Sequence, residues 1–215
     1  MKFIYLYEEF TDKTLKSNIN IYNQYYNDYK DDDRSKIVAW GANGSQERNF
    51  KMVSDNIKNG DSVLDYGCGI GDFIKYLNDN NINVSNYLGV DINKKFIKLA
   101  KKTYPDYNFN VITDIDQIKG KWDTVCAIGV FTWFITKEEF IDIIYKLYNV
   151  CNKQLILTFL YGDTPYDFNY EQEDEDKYWS NEYKYYSPKL FKTLFNDLNI
   201  SYEINRTTLL IKIVK

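Results

Sequence analysis

Val63-Leu64-Asp65-Tyr66-Gly67-Cys68-Gly69-Ile70-Gly71-Asp72-Phe73 is the stretch on which the reading of this chain turns. A short apolar run ends in an acid, three glycines follow at alternate positions, and an amphipathic pattern begins at Asp72. Glycines so placed let a strand turn sharply into a helix and let backbone approach a ligand closely. A dinucleotide fingerprint would read G-x-G-x-x-G, with a diphosphate on the helix N-terminus. Here the spacing is G-x-G-x-G, and the carboxylate of Asp65 precedes it. That charge repels a diphosphate and favours a ligand carrying positive charge near the turn.

S-adenosylmethionine, with a sulfonium and an ammonium group, is such a ligand. Further along, Gly89-Val90-Asp91-Ile92 closes a second apolar run, and Asp91 lies 20 residues beyond Gly71. A carboxylate there accepts hydrogen bonds from both ribose hydroxyls of an adenosine, and Ile92 offers an apolar surface to adenine. Asp91 alone does not separate S-adenosylmethionine from NAD, because both carry that ribose. Around the two motifs the pattern predicts strands over 62–66, 86–91, 107–112, 122–128 and 154–161. Helices are predicted over 72–78, 94–104 and 137–150. The last of these opens with Thr136 and Glu139 in capping-box spacing. Strands alternating with helices define an α/β fold with a parallel sheet covered on both faces. A final helix opens at Ser187-Pro188, and strands over 200–205 and 208–214 form a hairpin.

Asp65-Tyr66-Gly67-Cys68-Gly69-Ile70-Gly71 resembles motif I of the class I S-adenosylmethionine-dependent methyltransferases. Leu88-Gly89-Val90-Asp91-Ile92 resembles their motif II, and Trp122-Asp123-Thr124-Val125-Cys126-Ala127-Ile128 the strand of motif IV. The resemblance spans residues 49–215. It implies a Rossmann-like, doubly wound sheet of seven strands, mostly parallel, with an antiparallel strand in the C-terminal hairpin. It implies S-adenosylmethionine as cofactor, S-adenosylhomocysteine as product, and no metal. Cofactor contacts would come from Asp65, Gly67, Cys68, Gly69 and Gly71 around the methionine half. Asp91 would take the ribose, with Ile92, Asp114 and Ile115 around adenine, and Ile128 and Gly129 would lie beside the transferable methyl. Asp114 has a competing role as a turn or helix cap. Arg48 is a candidate partner for the methionine carboxylate, against the default of a surface arginine.

The residues after the fourth strand speak for the acceptor. Ile128-Gly129-Val130-Phe131-Thr132-Trp133 lacks the N/D-P-P-Y/F/W motif of DNA amino-methyltransferases, a Pro-Cys nucleophile and metal-binding carboxylates. Phe131 and Trp133 suggest an aromatic acceptor pocket, with core packing as the alternative for either. The segment 163–186 joins that expectation. It holds eight acids, two lysines and eight aromatics, and Tyr166, Tyr178 and Trp179 are candidate pocket walls. No basic cluster stands out and the net charge is −4, so nucleic acid is a poor partner and a small molecule the better one.

Histidine is absent, which removes Ser-His-Asp hydrolysis and His-ligated zinc from consideration. A neutral amine needs no base at attack whereas a hydroxyl usually does, so N-methylation is favoured over O-methylation. The alternatives are a protein or nucleic-acid methyltransferase, and a non-catalytic cofactor-binding member of the fold. Three widely spaced cysteines fit a reducing, cytoplasmic setting, and no apolar stretch has the length of a membrane span. The apolar run at the N-terminus is broken by Glu8 and Glu9, unlike a signal peptide. The whole chain, 1–215, is read as one domain. Its first 48 residues form a helical extension with Leu15, Ile19, Tyr22, Tyr26 and Tyr29 on one stripe. Packing on the core is the favoured role for that stripe, and a lid over the site the other.

Overall fold

The computed structural model describes residues 19–29, 34–40, 44–132, 136–162 and 185–215. Helix α1 covers residues 19–29. It is followed by α2 (Arg34–Ile37), α3 (Ser45–Ser54), β1 (Ser62–Tyr66), α4 (Asp72–Asp79), β2 (Asn86–Asp91), α5 (Lys94–Thr103) and β3 (Asn108–Val111). Then come β4 (Trp122–Ile128), α6 (Lys137–Val150), β5 (Cys151–Tyr161), β6 (Tyr185–Tyr186), α7 (Pro188–Leu194), β7 (Asn199–Asn205) and β8 (Thr208–Val214).

The main sheet runs β3-β2-β1-β4-β5-β8-β7. β1 pairs in parallel with β2 and β4, and β4 with β5, while β8 runs antiparallel to both β5 and β7. This is the expected seven-stranded, doubly wound plan, with one addition. The two-residue β6 pairs Tyr185 and Tyr186 with Leu160 and Tyr161 of β5. The other side of Leu160 is taken by Thr208 of β8, so β6 prolongs the line of β4 past its end. Nothing in the two-residue Tyr185-Tyr186 run distinguishes a strand from a turn before tertiary contacts act.

Side-chain alternation fills two core layers. Val63, Ile156 and Leu210 point to the layer shared with Phe50, Val53, Phe73, Ile74, Ile97 and Ala100 of α3, α4 and α5. Leu64, Leu155, Leu157, Leu209, Ile211 and Ile213 point to the opposite layer, with Phe140 and Ile144 of α6 and Phe191 of α7. Helix ends follow their predicted caps. Thr136 Oγ1 accepts from the Glu139 amide at 3.2 Å and Glu139 Oε2 accepts from the Thr136 amide at 3.0 Å, a reciprocal cap whose Thr is worth about 1 kcal/mol. Ser187 caps α7 by accepting from the Leu190 amide, and Asn93 caps α5 by accepting from the Lys95 and Phe96 amides, neither bond being returned.

Candidate functional site

The three glycines of the β1–α4 turn all have positive φ, as the spacing required. Their amides are turned inward. Gly67 and Cys68 both donate to the Val90 carbonyl, at 2.8 and 3.0 Å, and Gly71 donates to the Cys68 carbonyl at 3.0 Å. The Gly69 amide donates to Asp91 Oδ2 at 2.9 Å, and Asp91 Oδ1 takes the Asn93 amide at 2.7 Å. A phosphate-binding turn needs such amides free to point at the anion. Here those of Gly67, Cys68 and Gly69 are committed to β2 and that of Gly71 to the turn itself, and Asp72 occupies the first turn of α4. Gly67 is the tightest point of the turn, where a Cβ would run into Cγ2 of Val130 at φ +75; a Cβ on Gly69 would sit 2.9 Å from Cγ1 of Val38, at φ +55.

A cavity of about 910 Å³ opens along the carboxyl ends of the strands, from Ile112–Ile115 past the glycine turn to Thr207 and Thr208. Asp65, Asp91 and Asp114 all line it, and among the described residues Lys146 is the one basic side chain on its wall. Lys146 is itself held by Asp142 at 3.0 Å. Asp65 is 2% exposed and accepts from the Tyr87 hydroxyl at 2.7 Å. Burial pushes its carboxyl up to about 7; the Tyr87 bond opposes this and Asp91 adds to it. Burial also raises Asp91. The neighbouring thiols of Cys68 and Cys126 are pushed well up by burial, so neither is a nucleophile.

Asp114 caps the 3₁₀ turn Ile115–Gln117 through the Asp116 amide at 2.9 Å, so the capping role is realised. Its exposed side chain also lines the cavity, as do Ile92, Ile115, Ile128 and Gly129. Gly67 and Cys68 lie on the wall too, but Gly71 does not: it is the N-cap of α4, beside Phe109 and Tyr104. Arg48 is likewise off the wall, because α3 turns Ser45, Gln46 and Asn49 to the cavity instead. Phe131 touches the cavity but is 3% exposed, stacked on Phe159 at 5.6 Å and edge-on to Phe140 at 5.5 Å. It is mainly a core residue. Trp133, Tyr166, Tyr178 and Trp179, with the rest of 163–184, lie outside the described residues.

The N-terminal segment does more than pack. Tyr22 and Tyr26 rest on Phe96 of α5, with centroids 5.8 and 6.5 Å apart. Arg34 clamps Asp72 with Nε at 3.0 Å and Nη2 at 2.7 Å. Ile19, Tyr22, Val38, Ala39 and Trp40 line the cavity, and Ala39 holds a left-handed φ of 62°. Trp40 lies over Gly129, whose φ is +67 and where a Cβ would meet the indole at 2.9 Å. Trp40, Asn49 and Thr208 are cavity residues that motif spacing did not single out. They share no local pattern with the glycine turn and meet it only through the fold.

Residues 64–152 match the family model described as a methyltransferase domain. Protein 235L of Invertebrate iridescent virus 6, named as a methyltransferase, is 30% identical over 112 residues, 47% of this chain and 42% of that protein. The uncharacterized protein RP028 of Rickettsia prowazekii is 36% identical over 98 residues, 40% of this chain and 38% of that one. The chain spans about two fifths of the length of these curated relatives. Among solved structures, magnesium protoporphyrin IX methyltransferase from Synechocystis PCC 6803 with bound SAH superposes with a TM-score of 0.62 at 18% identity, covering 95% of this chain and 97% of that one. Residues 64–152 are thus similar to a methyltransferase domain, and the chain has the Rossmann-like fold of that solved structure.

Proposed function

We propose that this protein transfers the methyl group of S-adenosylmethionine to a small-molecule acceptor, a neutral amine in preference to a hydroxyl. The observation that carries this is the inward commitment of the glycine-turn amides, beside Asp65 and Asp91 on the cavity wall. A diphosphate would find carboxylates beside amides largely committed to the protein, whereas a cationic amino-acid moiety finds matching charge. Asp65, Gly67 and Gly69 would hold the methionine half. Asp91 has lone pairs left for the ribose hydroxyls, and Ile92, Ile112 and Ile115 would flank adenine. When bound, the cofactor supplies a sulfonium-activated methyl open to in-line displacement.

The chain's own work is then positioning and drying. Trp40 over Gly129, with Tyr22 and Val38, roofs the cavity beside the end of β4 and excludes water from the space where a nucleophile must sit. Among the described residues, the end of the cavity walled by α3, β5 and β8 presents no carboxylate and no lysine. An amine that arrives neutral needs no base there, which supports N-methylation. The protein's setting is read as the cytoplasm, in keeping with the free, buried Cys68, Cys126 and Cys151. Among the described residues no helix is long and apolar enough to cross a membrane.

The test is transfer of tritium-labelled methyl from S-adenosylmethionine to a panel of small amines and matched hydroxyl compounds. Label should appear on amines first. Label only on hydroxyl compounds would contradict the nucleophile, and label on none of the panel by a chain that binds S-adenosylhomocysteine would contradict transfer to small molecules.

A further inference from the structure

Asn49 and Thr208 are 5% and 3% exposed, yet both line the cavity. Asn49 belongs to α3 and Thr208 opens β8, and the fold brings them into contact across most of the sequence. Asn49 Nδ2 donates to the Ser45 carbonyl at 2.8 Å and to Thr208 Oγ1 at 3.2 Å. An amide nitrogen carries two hydrogens, so both are used and the side chain is fixed in one orientation. What remains is Oδ1, an acceptor to which none of the described residues donates. The Thr208 hydroxyl accepts from Asn49 and keeps its own hydrogen, which none of the described residues receives. Buried polar groups are normally satisfied, so an adjacent acceptor and donor left open on a cavity wall are complementary to a ligand.

Position identifies which ligand. Thr208 pairs with Leu160 at the carboxyl end of β5, and β5 and β8 lie on the far side of β4 from β1 and β2. Two strand steps separate β8 from β4, roughly 10 Å at the usual spacing. The pair therefore faces the part of the cavity left for an acceptor, away from the ribose acid on β2. Its surroundings there among the described residues, Ser45, Gln46, Phe50, Phe159 and Leu160, carry no charge.

We propose that Asn49 and Thr208 form an acceptor-recognition subsite for an uncharged group of the carboxamide type. Its N–H donates to Asn49 Oδ1 and its carbonyl oxygen accepts from the Thr208 hydroxyl. A carboxylate would set lone pairs against Oδ1, and an ammonium would leave the Thr208 hydrogen without an acceptor. The assignment of ends rests on the methyltransferase reading above.

The full chain saturated with S-adenosylhomocysteine is titrated calorimetrically with benzamide, benzoate and benzylamine, three probes of one shape and different hydrogen-bonding character. Benzamide should bind roughly tenfold more tightly than either. Thr208→Val, close in shape to the native residue, should lower benzamide affinity by roughly tenfold. Asn49→Asp should put benzylamine first. Cooperative melting and binding of S-adenosylhomocysteine establish that each variant is folded, and Thr208→Val carries the test alone if the buried charge of Asn49→Asp prevents folding. No binding of any probe, no preference for benzamide, or unchanged benzamide affinity in folded Thr208→Val would overturn the subsite. Failure of the wild-type chain to bind S-adenosylhomocysteine would instead overturn the cofactor reading on which the subsite rests.

Discussion

The Tyr87 hydroxyl donates to Asp65 Oδ2 at 2.7 Å beneath the glycine turn, in a site where the acid is 2% exposed. This one bond does not offset the cost of burying the carboxylate, and Asp65 stands at about 7 against its ordinary 3.8. A raised acid stabilises the fold fully below its unfolded pKa, and that contribution is lost as pH rises through the folded value. Above pH 7 the protein thus keeps a buried charge at a cost in stability. A cationic ligand at the turn would reverse that cost.

Asp65→Asn should therefore separate stability from binding. Its oxygen still accepts from Tyr87, so the apo protein should be stabilised at pH 8 by about 1–2 kcal/mol, roughly 2–8 °C in Tm, with the difference shrinking towards pH 4. At pH 8 its affinity for S-adenosylhomocysteine should fall about tenfold. Wild-type affinity should strengthen as pH rises through 7, with proton release on binding visible by calorimetry in buffers of different ionisation enthalpy. Wild-type binding that ignores pH between 6 and 8 would remove Asp65 from the ligand's surroundings.

Asp91→Ala should weaken S-adenosylhomocysteine binding by about 1.5–3 kcal/mol, the scale of hydrogen bonds to a charged group. Part of that loss comes from freeing the Gly69 amide, which Asp91 Oδ2 holds at 2.9 Å. Faster hydrogen exchange at Gly69 should accompany the loss. Binding unchanged in a folded variant would place the ribose elsewhere.

The contact of Trp40 with Gly129 is testable as a pair. Gly129→Ala adds a Cβ 2.9 Å from the indole at a left-handed φ, and should lower S-adenosylhomocysteine affinity about tenfold by displacing Trp40. In a Trp40→Ala background the same substitution should cost little more, giving a coupling of about 1 kcal/mol in the cycle. Additive losses would mean that Trp40 does not roof the site.

The sheet and the glycine turn were legible because their causes are local. The nearly continuous apolar run 154–161 and the Asp65–Gly71 spacing each act within a few residues, and β1, β2, β4 and β8 fall where the pattern set them, with β7 one residue longer. Differences arise where a neighbour decides. β3 stops at Val111 and not Ile112, and β5 begins at Cys151 and not Gln154, because pairing with Trp122 extends it. Arg48 was singled out for its charge, but helical phase gives the cavity to Asn49. Phe131 carries the chemistry of a pocket wall, and its ring is taken by Phe140 and Phe159. Thr208 and Trp40 carry no motif. The helical stripe Tyr22–Tyr26 announces burial with a lid as its other reading, and Tyr22 both packs on Phe96 and lines the cavity.

Calorimetric titration of the full chain with S-adenosylhomocysteine and, separately, with NAD tests the central claim most directly. A turn whose amides are committed to Val90 and Asp91 should bind S-adenosylhomocysteine one to one and give no heat with NAD at the same concentrations. Binding of NAD with no binding of S-adenosylhomocysteine would contradict the account.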